Sequence, residues 1–259
     1  MSKSFSPRLL SLLVILLVVL SLASVAAAQD EDTVVVIEPD GVVKIGLSAA
    51  LSGEGLAPLG IDIARGAEVA IANRPVVVID GVEFAVELDA QDSLCSAEGG
   101  QTVANRFAVD ESIVGVVGPM CTSAVKAALP IFESAGYTIV SPSATGNDLT
   151  EQGSKSFNRT APRDGAQGYF AALFLYEELG VTRIATIHDG SPYAEGLVEI
   201  VIANFEDLGG EVVAQDAVTV GDTDFRALLE DIAQEEPELI YMVSFPAEAA
   251  RVIQQRADA

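Results

Sequence analysis

The sequence predicts an α/β protein built from two doubly wound, parallel-sheet lobes, and three observations carry that prediction. Short β-branched runs alternate with stretches of period 3.6 along most of the chain, the βαβα order that calls for a parallel sheet covered by helices. Half of the 259 residues are hydrophobic and 20% are charged, enough apolar side chain to fill a core on both faces of a sheet. From Ser141 to Arg163 the chain passes Pro142, Gly146, Asn147, Gly153 and Pro162 without a sustained helical period. A connection that long inside a compact domain reads as a crossover between lobes.

The elements follow in order. Lys3 and Arg8 precede an uncharged apolar stretch that begins at Leu9 and ends at Ala26-Ala27-Ala28, which predicts a signal peptide over residues 1–28 and cleavage after Ala28. Retention of the same stretch as a membrane anchor is the competing reading, since it is nearly long enough to span. No cysteine lies near the cut, so a lipid-anchored N-terminus is not expected. Residues 29–41 form an acidic leader. The first lobe is assigned to residues 42–160, with strands at Val42–Leu47, Val82–Leu88, Ile113–Val117 and Tyr137–Val140. Val125, Leu129 and Phe132 mark the apolar face of a helix that Pro130 should kink or divide. The second lobe, residues 161–259, opens with a helix over Ala166–Leu179 and continues with strands at Arg183–Ile187, Glu211–Val213 and Leu239–Val243. Phe225, Leu228, Leu229 and Ile232 fall at i, i+3, i+4 and i+7 of a further helix.

Charge and composition narrow the function. Fourteen basic residues against 38 acidic ones give a net charge of −24, which repels a phosphate backbone and excludes a nucleic-acid partner. One histidine, His188, and two cysteines cannot supply a four-ligand zinc site, and neither a metal nor a cofactor is expected. Export makes the even pair Cys95 and Cys121 a disulfide in preference to a redox site. Closing the intervening loop would contribute about 3 to 4 kcal/mol in the chain-entropy treatment.

Catalytic chemistry is poorly represented. No serine sits in a G-x-S-x-G frame, so His188-Asp189 with Ser141 or Ser143 makes a weak triad. Paired acids such as Asp62 with Glu68, or Glu230 with Glu235, fall on solvated helix faces. The stretch Gly53 to Gly60 has the spacing G-x-G-x-x-x-x-G, too long for a dinucleotide fingerprint. A non-catalytic protein is therefore expected.

Ligands of open α/β sheets bind outside the carboxyl ends of the strands. Those loops read Ser48–Gly60, Gly118–Ser123, Ser141–Thr145, His188–Tyr193 and Ser244–Pro246, and small, hydroxyl and backbone groups dominate them. Thr122-Ser123 opens a helix directly after a strand, offering backbone N–H groups and a hydroxyl to an anion such as a carboxylate; an ordinary N-cap is the alternative.

The loops KIGLSAALSG from Lys44, GPMCTSA from Gly118, IVSPSATGNDLT from Ile139, NRTAPRDGAQG from Asn158, IHDGSPYAEGL from Ile187 and DTDFRALL from Asp222, with the Cys95 loop, resemble those of leucine/isoleucine/valine-binding proteins. These are the solute-binding components of branched-chain amino acid ABC importers, with the type 1 periplasmic binding fold. The resemblance implies two lobes joined by hinge strands that close on an amino acid zwitterion. It implies that Thr122 holds the ligand carboxylate, that Ser143 (through its backbone) and Thr145 make the next contacts, and that Tyr193 reaches in from the second lobe. Phe245 falls where relatives often carry Tyr. Leu59 stands where close relatives have Trp or Tyr beside the ligand side chain. Cys95 and Cys121 match the family disulfide. The chain stops at Ala259, before the acidic residue that pairs with the ligand ammonium in the family and before the strands that return to the first lobe. The resemblance therefore implies a C-terminally incomplete fold with a partial first lobe. The implied protein is exported to the periplasm or beyond the cell, monomeric, and partnered by a membrane permease. A sugar-binding or sensory protein of the same fold without a transport role is the alternative.

Overall fold

The structure is a computed structural model and describes residues 36–38, 41–53, 55–151, 153–256 and 257. The signal peptide and most of the acidic leader predicted above lie outside the described residues. Two sheets organise the rest. The first has six strands in the order β2-β3-β1-β4-β5-β6, where β1 is Val42–Ala49, β2 Val76–Ile79, β3 Val82–Asp92, β4 Ile113–Val117, β5 Ile139–Ser141 and β6 Phe157–Arg159. The second has three, in the order β8-β7-β9, with β7 at Arg183–His188, β8 at Glu211–Ala217 and β9 at Leu239–Val243. In both, a central early strand has later strands on either side, the doubly wound arrangement whose switch point faces a ligand crevice.

Helices cover both faces. In the first lobe α1 (Ala57–Asn73) contributes Ala64 to one apolar cluster with Leu47, Met120 and Ala124. On the other face α2 (Ala97–Ala108) and α3 (Thr122–Ser134) pack Val103, Phe107, Val125 and Phe132 against Ile113 and Ile139. Ser96 caps α2 by accepting the Gly99 N–H at 3.0 Å, with Glu98 in the first turn and Arg106 in the last, the charge order that suits a helix dipole. In the second lobe α5 (Asp164–Leu173) and α6 (Pro192–Asp207) bury Ala172, Leu197, Val201 and Phe205 on Ile184. The opposite face takes α7 (Arg226–Gln234) and α8 (Pro246–Gln255), through Leu229, Ile232 and Val252 on Ile187.

Besides β1, β3, β7 and β8, which run past their predicted ends, the structure differs from the sequence reading at five places. The first sheet is not wholly parallel, because β2, which periodicity did not mark, pairs antiparallel with β3 through the two-residue turn Asp80-Gly81. Both turn residues have positive φ (51° and 83°), as a tight hairpin of this length requires. β5 begins at Ile139 and excludes Tyr137, whose hydroxyl donates to the Phe107 carbonyl at 3.0 Å and whose ring meets Phe132 edge-on. Pro130 does not divide its helix: α3 runs through it to Ser134. Pro130 and Lys126 both lie on the exposed face, so the Lys126 carbonyl that loses its N–H partner can turn to water. The Ser141–Arg163 stretch is not a bare connection. It holds a single turn, α4 (Asp148–Glu151), and β6, which pairs parallel with β5 from Ile139↔Phe157 to Ser141↔Arg159. Finally, the opening helix of the second lobe starts at Asp164, two residues early, and its end from Phe174 to Glu178 widens into a π-helical turn.

Candidate functional site

The loops at the carboxyl ends of β4 and β5 are sewn together before any ligand is considered. Gly118 follows β4 with φ 106°, and a Cβ there would fall 2.3 Å from the Ser48 carbonyl, so only glycine lets the chain leave the sheet at this angle. Ser141 at the end of β5 donates its hydroxyl to the Pro119 carbonyl (2.6 Å) and accepts the Ala144 N–H (3.0 Å). Ser143 donates to the Met120 carbonyl at 2.8 Å. The hydroxyl of Ser143 is thus used within the protein.

Thr122 is the first residue of α3, with Cys121 as the N-cap in its place. It is 2% exposed, and its Oγ1 accepts the Gly146 N–H at 3.2 Å. That bond uses one lone pair; the O–H and the second lone pair remain. The Cys95–Cys121 disulfide, with Cα atoms 5.3 Å apart, ties the start of α3 to the segment after β3, and Ser123 reinforces the join by donating to the Cys95 carbonyl at 2.7 Å. The helix opening is therefore fixed to two segments, at Gly146 and at Cys95.

The second lobe presents its own pair of loops, after β7 and β9, held by a single buried carboxylate. Asp189, 3% exposed, accepts the Ser191 N–H on Oδ1 (3.0 Å) and the Phe245 N–H on Oδ2 (3.1 Å). Ser191 caps α6 through the Ala194 N–H. The capped helix start places Tyr193 beside Phe245, ring centroids 6.2 Å apart. Phe245 also packs on the first lobe's cluster around Met120 and Cys121.

Between these two sets of loops lies a cleft of about 290 Å³. All six residues expected at a ligand site, Leu59, Thr122, Ser143, Thr145, Tyr193 and Phe245, line it. Leu59 reaches it from the first turn of α1 and is 46% exposed. Among the described residues that line the cleft none carries a formal charge. Its polar groups are hydroxyls and the N-terminal end of α3, and its apolar groups are Leu59, Met120, Tyr193 and Phe245. Burial, and secondarily the charges of Asp164 and Asp189, push the Tyr193 hydroxyl above its ordinary pKa, so it stays a neutral donor. Among the described residues no group of three His, Cys, Asp or Glu is arranged to hold a metal ion.

One residue that periodicity and motif spacing passed over stands just behind Thr145. Asp164, the first residue of α5, is 1% exposed, and its N–H donates to the Thr145 carbonyl at 3.0 Å. Burial pushes its carboxyl up from the ordinary value, against the opposing pull of the Thr145 hydroxyl and the Arg159 guanidinium. The signal available in the sequence was an acid at a helix start within the quoted run NRTAPRDGAQG.

The comparisons with known proteins accord with this geometry. The sequence pattern of the family described as periplasmic binding protein matches residues 42–259. A Leu/Ile/Val-binding protein of Citrobacter freundii is 30% identical over 239 residues, covering 92% of this chain and 61% of its own. Among solved structures, the leucine-binding protein LivK of Thermotoga maritima superposes with a TM-score of 0.77 at 28% identity, over 84% of this chain and 60% of that one. The branched-chain amino acid substrate-binding protein LivJ of Streptococcus pneumoniae, solved with isoleucine, gives 0.74 at 27% identity over 84% and 61%. The chain thus spans about six tenths of the length of these relatives. By the extent of the family match, the arrangement of the two sheets and the position of the cleft between their loops, the chain belongs to the periplasmic binding protein family.

Proposed function

We propose that this chain is the ligand-binding portion of a branched-chain amino acid ABC importer, a carrier and not an enzyme. The observation that supports this most is the uncharged cleft itself, which gathers the six expected residues from both lobes in a relative of proteins named for leucine, isoleucine and valine. In this reading the ligand carboxylate meets the Thr122 hydroxyl and the unpaired N–H groups that open α3, where charge-assisted bonds are strong. The Ser143 backbone and Thr145 flank it, and the aliphatic side chain lies against Leu59, Tyr193 and Phe245. Residues 42–160 and 161–259 act as the two lobes and close over the ligand, excluding water from the charged groups. The protein works outside the cytoplasmic membrane as a monomer and delivers its ligand to a permease, after loss of residues 1–28.

Isothermal calorimetry and thermal shift test the reading. L-leucine, L-isoleucine or L-valine should bind and raise the melting temperature by mass action, whereas sugars and amino acids amidated at the carboxylate should not. Stabilisation by a sugar alone would overturn the proposal in favour of a sugar-binding protein of the same fold. Intact-mass analysis of exported protein should find Gln29 at the N-terminus.

A further inference from the structure

One motif of the chain has no part in ligand capture. Asparagine occurs at Asn73, Asn105, Asn147, Asn158 and Asn204, and Asn158-Arg159-Thr160 is the one place where it stands two residues before a serine or threonine with no proline between. That is the acceptor pattern for N-linked glycosylation. The tripeptide alone is short enough to arise by chance, so its setting in the fold carries the weight.

Asn158 and Arg159 belong to β6, and the Thr160 N–H continues the pairing by donating to the Ser141 carbonyl at 3.1 Å. Successive side chains of an extended segment point to opposite faces. Phe157 and Arg159 take the inner face: Phe157 is 5% exposed, and the Arg159 guanidinium stands 5.7 Å from its ring centre and donates to the Ala144 and Gly146 carbonyls. Asn158 and Thr160 take the other face, and both are exposed. The middle residue of the motif is thus anchored inward while the two that define it point outward together, about 6.6 Å apart along the strand. Neither is firmly committed. Asn158 Nδ2 reaches the Ser156 carbonyl and the Thr160 hydroxyl the Pro142 carbonyl, each at 3.4 Å, beyond the usual hydrogen-bond range.

The same face needs cover. Parallel strands are ordinarily covered on both sides, yet Val140, the partner of Asn158 in β5, is 39% exposed. β6 also ends the first sheet, and among the described residues no strand pairs with its outer edge, a template for unwanted pairing. A carbohydrate chain at Asn158 is bulky and hydrated and shields both features.

We propose that Asn158 is a site of N-linked glycosylation. The proposal rests on the export proposed above, since it needs a glycan donor on the exported side of the membrane: an oligosaccharide joined to a lipid through phosphate or pyrophosphate. In the transfer Asn158 Nδ2 bonds to C1 of the first sugar, the bond from C1 to the phosphate oxygen breaks, the lipid phosphate leaves with the electron pair, and Nδ2 gives up one proton. No oxidant or reductant enters. The Thr160 hydroxyl is the handle by which the transferase holds the acceptor.

The test is mass spectrometry of protein recovered from the exported fraction of its own host, as intact mass and by fragmentation of the peptide that contains Asn158. The wild type should exceed the mass of the chain from Gln29 by one glycan located on Asn158. The excess should disappear in Asn158→Gln and in Thr160→Val and persist in Thr160→Ser. Exported wild-type protein that begins at Gln29 with Asn158 bare, or a glycan that survives Asn158→Gln, overturns the proposal and leaves export standing. Protein that keeps residues 1–28 and stays within the cell, with Asn158 bare, overturns the export reading and the proposal together. Should a variant fail to accumulate, fragmentation of the wild-type peptide decides alone.

Discussion

In the function proposed above, Thr122 links the integrity of the first lobe's loops to ligand capture, and replacing it should affect both. Thr122→Val keeps the shape and removes the hydroxyl. The Gly146 N–H, which Thr122 Oγ1 accepts at 3.2 Å in a buried setting, then loses its partner, at a cost of about 1 to 3 kcal/mol. For a folded unit of this size that lowers the melting temperature by about 2 to 12 °C. The ligand carboxylate loses a charge-assisted bond as well, worth about 1.5 to 3 kcal/mol, so affinity should fall by roughly tenfold or more. Thr122→Ser keeps the oxygen and gives up only the methyl group, which packs against the glycine at 146: a Cβ added there would lie 2.6 Å from Thr122 Cγ2. The serine variant should therefore bind nearly as the wild type does and lose little stability. Calorimetric titration with L-leucine and thermal unfolding followed by circular dichroism, run on all three proteins, measure both effects. If Thr122→Val melts and binds like the wild type, neither the Gly146 bond nor the carboxylate contact has the role argued here.

Three further outcomes follow from the structure. Removing the disulfide by Cys95→Ala with Cys121→Ala opens a loop of sequence separation 26, which should cost about 3.5 kcal/mol and lower the melting temperature by roughly 7 to 14 °C; addition of a reductant to the wild type should reproduce the loss. Ser143→Ala should lower stability by about 0.5 to 1.5 kcal/mol through the lost bond to Met120, yet leave leucine affinity within about threefold, because the ligand contact assigned to Ser143 is through its backbone; a loss of affinity beyond that would move the contact to the hydroxyl. The Asp110 carboxyl is held below its ordinary value, chiefly by the Ser112 hydroxyl and further by Lys44, whose ammonium lies 3.1 Å away. Its contribution is fully present above the unfolded carboxyl value of about 3.9 and is lost as pH falls through the lower folded value, so the stability difference between wild type and Asp110→Asn should shrink as pH falls below about 4 in a series of thermal melts.

Long, regular segments were legible in the sequence because their own side chains define them. β4 and β9 have the bounds their β-branched runs suggest, and α7 carries the Leu229 and Ile232 face that its period announced. The short pieces were not. Three residues of β6 and four of α4 are too few to show a period, and they exist because β5 and the Arg159 guanidinium hold them. β2 could have been found from Asp80-Gly81 between two β-branched runs, a turn signal and not a periodic one.

The same division applies to the site. By itself the sequence determined the two-lobed α/β class, the strongly acidic charge balance, the paired cysteines and the identity of the loops that meet at the strand ends, since these depend on composition, local period and motif. Only the tertiary structure decided which groups within those loops are available to a ligand. Ser143 loses its hydroxyl to Met120, Thr122 shares its own with Gly146, and Asp189 is used up by two amides from different loops. Each of those outcomes depends on hydrogen bonds between residues brought together from separate strands, and a linear pattern carries no record of which donor reaches which acceptor.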